Sequence, residues 1–384
     1  MGSVCVVAGT RPEIIKLAPV YRKMREGDEH DVFWLSTGQH TDLAEQTLDA
    51  FAIRPDVKLR LAAPNAAKGR ADSLARVFAD LVARIDEVLA RLAPSLVVVQ
   101  GDTTSAVAAA FAAFSRQIPV AHVEAGLRTF DLARPFPEEG WRSVLTQLST
   151  LHFAPTKTAA RNLQRCGLRP DSIRVTGNTV IDALHWLVKH VKPDEPIRQL
   201  AKSKRLVVVT LHRRENWNGG FGDVCSALLA LRDGVGDIEI CFVQHANPAL
   251  QQQAARHLAD QPRVHLQKPL AYPQFVQLLR GSTLILTDSG GVQEEAPALG
   301  VPVLILRDST ERPEAVEEGV AKLVGTDPAR ILKAATRLLT DRAAYSRMAR
   351  RVNPFGDGQA ASRIARDIEY FLATGSMQAA KTAA

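Results

Sequence analysis

The chain has 384 residues, a length for which two domains are the natural prior. Its 46% hydrophobic and 23% charged residues are ordinary for a soluble globular protein, and no apolar run approaches the ~20 residues that a membrane span needs. A net charge of +7 leans toward anionic partners such as nucleotides and phosphate esters, but it is too dispersed for a nucleic-acid patch.

Short β-branched runs alternate with helix-length segments. Val4–Ala8, Val32–Ser36, Leu96–Gln100, Pro119–Glu124 and Leu151–Pro155 are strand candidates, separated by stretches such as Ser73–Leu92 and Ser105–Arg116. Near-continuous apolar strands between helices predict a parallel sheet covered on both faces. After Val191 the polar, proline-bearing KPDEPIRQLAKSK reads as a boundary region. The alternation resumes with Leu206–Leu211, Ile238–Val243, Val264–Gln267, Leu284–Asp288 and Pro302–Leu306. The expectation is an α/β protein of two doubly wound units of similar size, with the active cleft between them and ligands beyond the carboxyl ends of the strands.

The four cysteines, Cys5, Cys166, Cys225 and Cys241, are scattered and form no CxxC or Cys/His cluster, so no metal is expected. The N-terminus runs directly into VCVVAG without signal-peptide character, and the cytoplasm is the expected location.

The strand ends carry the candidate chemistry. Val4–Ala8 ends in GTRPEIIKLAPV, where Pro12 suits a helix start and Arg11 and Lys16 are placed to face a phosphate, or else are solvated. Leu96–Gln100 ends in GDTTSA, and for Asp102 alone a helix-capping role is the stronger reading. Glu124, at a buried strand terminus within HVEAGLR, needs a partner or a raised pKa and leans functional; His122 belongs to the sheet. From Val123 to Arg142, VEAGLRTFDLARPFPEEGWR reads as a loop holding Glu124, Asp131, Glu138 and Glu139 beside three arginines that include Arg142.

Leu206–Leu211 runs into HRREN, where His212 with Arg213, Arg214 and Glu215 is suited to contacting an anion or donating a proton. VQHANP repeats the pattern with His245. The most specific stretch is TDSGGVQEEAPALGVPVLIL. Ser289, Gly290 and Gly291 let backbone N–H groups approach a phosphate at a helix start, and one of Glu294 and Glu295 either complements the helix dipole or accepts from a ribose diol.

Taken in order, GTRPEIIKLAPV, TGQH (Thr37–His40), GDT, HVEAGLRT, PEE (Pro137–Glu139), HRREN, DSGGVQEEAP and RDSTERPE (Arg307–Glu314) resemble the non-hydrolysing UDP-N-acetylglucosamine 2-epimerases over about the first 325 residues. The resemblance implies two Rossmann-like domains of GT-B type. These are 1–180, on which a C-terminal helix at 360–375 packs back, and a UDP-binding domain at 181–359. It implies reversible epimerisation at C2 of UDP-N-acetylglucosamine to UDP-N-acetylmannosamine, by loss of UDP to give 2-acetamidoglucal and re-addition on the other face. No cofactor is implied, and a homodimer is.

Carried over by the same resemblance, Asp102, Glu124 and Glu138 are the catalytic carboxylates and His212 the catalytic histidine. Arg11, Lys16, Ser289 and Gly291 bind the diphosphate, Glu295 the ribose, and Arg307 and Glu311 the region around the sugar; Arg142, Arg214, His245 and Gly290 complete the substrate-binding set. In PEEGWR, Trp141 stands where the family usually has Asn, and Asp42, two residues beyond GQH, stands where members with a second, regulatory UDP-sugar site often have Gln or Glu. Three rivals stand beside this reading. A hydrolysing epimerase would release free N-acetylmannosamine and UDP. A UDP-sugar glycosyltransferase has no use for three strand-end carboxylates, and a non-catalytic nucleotide-sugar sensor needs none of them.

Overall fold

The structure, a computed structural model, describes residues 2–27, 30–38, 42–59, 73–202, 205–213, 216, 220–350 and 352–376. It divides into two compact units, Met1–Ala183 with Gly356–Ala384, and Leu184–Phe355.

Among the described residues the first unit holds a parallel sheet of β1 (Ser3–Ala8), β2 (Asp31–Ser36), β3 (Val57–Lys58), β4 (Leu96–Gln100), β5 (Val120–Val123), β6 (Leu151–Ala154) and β7 (Ile173–Val175), in the order β3-β2-β1-β4-β5-β6-β7. The order reverses between β1 and β4, the point at which helices leave a parallel sheet on opposite faces and open a crevice at the carboxyl ends of the strands. All five residues of β4 are buried, as a strand covered on both faces requires. The helix Thr104–Ser115 is alanine-rich on nearly every side. Its small side chains let it lie close to the sheet and beside the helix Leu74–Leu92, which contributes Leu81, Ile85, Val88 and Leu89 to the same core.

The second unit holds β8 (Arg205–Thr210), β9 (Ile238–Val243), β10 (Val264–Gln267), β11 (Leu284–Thr287), β12 (Val303–Ile305) and β13 (Ala321–Leu323), all parallel, in the order β10-β9-β8-β11-β12-β13. Alternation along β8 explains its unbroken apolar run: Val207 and Val209 enter one core, Leu206 and Val208 the other. The reversal falls between β8 and β11, so His212 and Arg213 lie beyond the end of one strand and residues 288–291 beyond the end of its neighbour.

In the first unit the helix Ala360–Thr374 packs on the helix Arg11–Arg25. Its start is capped from elsewhere in the chain, since Asp182 accepts from the N–H of Ala360 at 3.3 Å and of Ala361 at 2.9 Å. Burial pushes this carboxyl up to about 6, against those hydrogen bonds.

Three features differ from the sequence reading. The strands β3, β7 and β13 have two or three residues each and lie at sheet edges, where short, partly polar strands are usual. The stretch after Val191, read as a boundary region, contains a helix, Glu195–Lys202, that buries Ile197. The loop from Val123 ends earlier than Arg142, at Pro137, and Glu138 opens the helix Glu138–Leu148. Among the described residues no helix is long and apolar enough to cross a membrane.

Candidate active site

At the end of β1, Gly9 is required by space: a Cβ there would lie 2.0 Å from Thr37 Oγ1 and 2.3 Å from Ser105 Oγ. The chain then turns into the helix Arg11–Arg25 around a fully buried Glu13. This carboxylate accepts from the N–H of Gly9 (3.0 Å) and of Thr10 (2.7 Å) and from Thr103 Oγ1 (2.5 Å), which fastens the end of β1 to that of β4. Burial raises the pKa of Glu13, although these bonds oppose it. Arg11 is partly exposed at the first position of the helix. One turn later Lys16 sends Nζ to Glu124 Oε1 at 2.5 Å.

Beyond β4, Thr103 caps the helix Thr104–Ser115 by accepting from Ala106 N–H at 3.0 Å. Asp102 is therefore not the cap that it resembles in sequence. Its Oδ2 instead takes two donors from Arg142, Nε at 2.8 Å and another guanidinium nitrogen at 2.7 Å.

Beyond β5, paired in register with β4 (Gln100 opposite Val123), Glu124 is buried in the left-handed region at φ 64. For a non-glycine residue that conformation costs about 1–3 kcal/mol. Besides Lys16, Glu124 Oε1 accepts from Asn178 Nδ2 at 3.1 Å and Oε2 accepts from Gln100 Nε2. The buried His122 donates from Nε2 to Gly101 O at 2.8 Å, and burial lowers its pKa to about 4, so it is a neutral sheet residue.

The segment between Glu124 and Glu138 is organised by Glu139, which is fully buried. Burial works against its charge, but the N–H groups of Thr129 and Phe130 (both 3.0 Å) and Arg128 Nε (2.7 Å) hold it below the usual carboxylate range. Arg142 adds a contact at 3.4 Å and so links Glu139 to Asp102. Glu138 differs from all of these. Its Oε2 is buried and has no hydrogen-bond partner among the described residues. Three carboxylates at the carboxyl edge of one sheet thus meet three environments: an arginine, a lysine with two amides, and no donor to one oxygen.

In the second unit the buried Asp288, just beyond β11, accepts the N–H groups of His212 (2.8 and 3.0 Å) and Arg213 (2.9 Å) and Asn216 Nδ2 (2.9 Å). It fixes the segment that carries His212, whose ring meets that of His245 edge-on with centroids 5.4 Å apart. Ser289 is the N-cap residue of the helix Gly290–Ala298, without a side-chain cap bond of its own. Among the described residues a Cβ at Gly290 or Gly291 would meet nothing closer than 4.0 Å, and a helix start of this kind suits an approaching anion. The paired acids diverge: Glu294 is ion-paired with Arg312, and Glu295 Oε1 accepts from Tyr272 O–H at 2.9 Å. Arg307 is half-buried, with Glu311 exposed 3.8 Å away and Arg213 3.5 Å from the other oxygen of Glu311.

A family model described as UDP-N-acetylglucosamine 2-epimerase matches residues 22–369. The chain belongs to the UDP-N-acetylglucosamine 2-epimerase family. The Escherichia coli K12 UDP-N-acetylglucosamine 2-epimerase is 43% identical over 369 residues, covering 94% of this chain and 96% of that protein. A Listeria monocytogenes structure assigned to the same activity has a TM-score of 0.90 at 40% identity, covering 97% of each chain. The Neisseria meningitidis epimerase bound to UDP-N-acetylglucosamine has a TM-score of 0.84 at 38% identity, covering 97% of this chain and 100% of that one. The fold is α/β of the GT-B type, and the family's enzymes are isomerases.

Of the residues that the resemblance to the epimerases singles out, Arg11, Lys16, Asp102, Glu124, Glu138 and Arg142 lie in the first unit. His212, His245, Ser289, Gly290, Gly291, Glu295, Arg307 and Glu311 lie in the second. Arg214, with Gln39 and His40 of TGQH, lies outside the described residues, as does the side chain of Asp42. Trp141, at the position where the resemblance leads to an expectation of Asn, stacks on Phe78 at 5.6 Å and packs against the core beside the helix Leu74–Leu92. Sequence reasoning missed Glu13, Gln100, Glu139, Asn178 and Asp288. Of these, Glu13, Glu139 and Asp288 stood inside quoted motifs, as acids close to the chosen residues.

Proposed function

We propose that this chain interconverts UDP-N-acetylglucosamine and UDP-N-acetylmannosamine, drawing on residues of both its units. The observation that carries the reading is the set of Asp102, Glu124 and Glu138, three carboxylates in unlike surroundings at the carboxyl edge of one sheet. Epimerisation at C2 needs one group to take a proton and another to return it on the opposite face, and unlike surroundings let carboxylates divide those roles.

In the forward direction the C2–H bond breaks to a carboxylate, its electron pair forms the C1–C2 double bond of 2-acetamidoglucal, and the C1–O bond breaks toward UDP. Return of a proton to the other face and re-addition of UDP complete the inversion. The helix start at Ser289–Gly291 supports binding of the diphosphate as it leaves, a role also assigned to Arg11. Glu295, fixed by Tyr272, supports a ribose contact, and Arg307 and Glu311 a place around the sugar. His212 and His245, with Arg142, complete the contacts assigned to the substrate. We further propose a cytoplasmic homodimer.

The test is NMR of the purified protein with UDP-N-acetylglucosamine. UDP-N-acetylmannosamine as the product supports the reading. Free N-acetylmannosamine with UDP points to the hydrolysing reaction, and binding without turnover to a sensor.

A further inference from the structure

Gln100 and Asn178 were not among the residues assigned a role, yet each spends a buried amide on Glu124. Gln100 ends β4, where every other residue is apolar, and is only 3% exposed. A buried polar side chain in such a strand requires a partner, and its Nε2 finds one in Glu124 Oε2. Asn178, also 3% exposed, uses both ends: Oδ1 accepts from Val180 N–H at 3.0 Å, and Nδ2 donates to Glu124 Oε1 at 3.1 Å. The Val180 bond fixes which end of the amide is oxygen, because only an acceptor can meet that N–H.

With Lys16 Nζ at 2.5 Å, Glu124 Oε1 takes two donors and Oε2 one. A carboxylate accepts at about four sites, and N–H donors meet both oxygens of Glu124, which favours its charged form. We propose that Gln100 and Asn178 are positioning residues that hold Glu124 as an acceptor-only carboxylate against Lys16, so that it enters the reaction as the anion. The inference rests on the epimerase reading above. His122, two residues before Glu124, is neutral through burial, and Arg142 is turned to Asp102.

Two variants test it. Asn178→Asp keeps an oxygen for Val180 N–H and so preserves the local turn, while replacing the donor to Glu124 with a second carboxylate. Gln100→Leu removes the other donor at similar volume. Each variant is expected to lower kcat by at least about tenfold, with KM for UDP-N-acetylglucosamine changed by less than about threefold. In Asn178→Asp, activity is expected to recover partly as the pH is lowered, because one proton shared by the two carboxylates restores a hydrogen bond. Wild-type kcat and pH profile in Asn178→Asp would overturn the proposal, even if Gln100→Leu proved too unstable to assay. The wild-type protein run alongside separates the two levels: absence of C2 epimerisation in wild type counts against the reaction, whereas wild-type-like variants count against the positioning role alone.

Discussion

Lys16 Nζ lies 2.5 Å from Glu124 Oε1, joining residues 108 positions apart across the carboxyl edge of the first sheet. The pair is largely shielded, with side-chain exposures of 16% and 6%. Attraction between such groups offsets their desolvation only while both are present, so removing one strands the other.

The first prediction follows from that pair. Lys16→Met is expected to destabilise the protein by about 3 kcal/mol, at the lower end for breaking a buried ion pair, and to depress kcat more than UDP affinity. Denaturant unfolding and UDP titration check it. Unchanged stability with a large loss of UDP affinity would return Lys16 to the diphosphate role.

Asp102→Asn and Glu124→Gln keep shape and remove charge. Each is expected to lower the rate at least ~100-fold, the lower range for a positioned acid or base, with UDP binding largely retained. Steady-state kinetics with UDP binding by calorimetry decides this, and near wild-type turnover would leave the residue a structural partner only.

Glu295→Ala is expected to raise the Kd for UDP more than it slows turnover at saturation, because a ribose contact is shared by ground and transition states. A collapse of turnover at unchanged affinity would remove Glu295 from the ribose.

Asp182 gives a pH-dependent prediction for stability. Its carboxyl is raised in the folded protein to about 6 from an ordinary 3.8, so between these values the folded state holds a proton that the unfolded state has lost. Its stabilising contribution is full below the lower value and is lost as pH rises through about 6. Asp182→Asn should therefore raise the melting temperature relative to wild type more at pH 8 than at pH 4.5. An equal difference at both pH values would contradict the assignment.

Much of the fold was legible because its signals are local. Apolar runs such as Leu96–Gln100 and Ile238–Val243 became strands with those bounds, and Asp102 and Glu124 lie just beyond strand ends, whereas Glu138 opens a helix. What stayed hidden depends on distant partners. Asp102 and Thr103 are adjacent, and only the fold decides that Thr103 caps while Asp102 meets Arg142, 40 residues away. Gln100 and Asn178 reach Glu124 across 24 and 54 positions, and nothing near either residue announces the contact. The edge strands β3, β7 and β13 were too short to carry a period.

The central claim is that a carboxylate takes the C2 proton and that a proton is returned to C2. The most direct measurement is incubation with UDP-N-acetylglucosamine in deuterated water, followed by NMR of the recovered sugars. The account predicts UDP-N-acetylmannosamine and recovered UDP-N-acetylglucosamine, both carrying deuterium at C2. Epimer formed without solvent deuterium at C2 would contradict it.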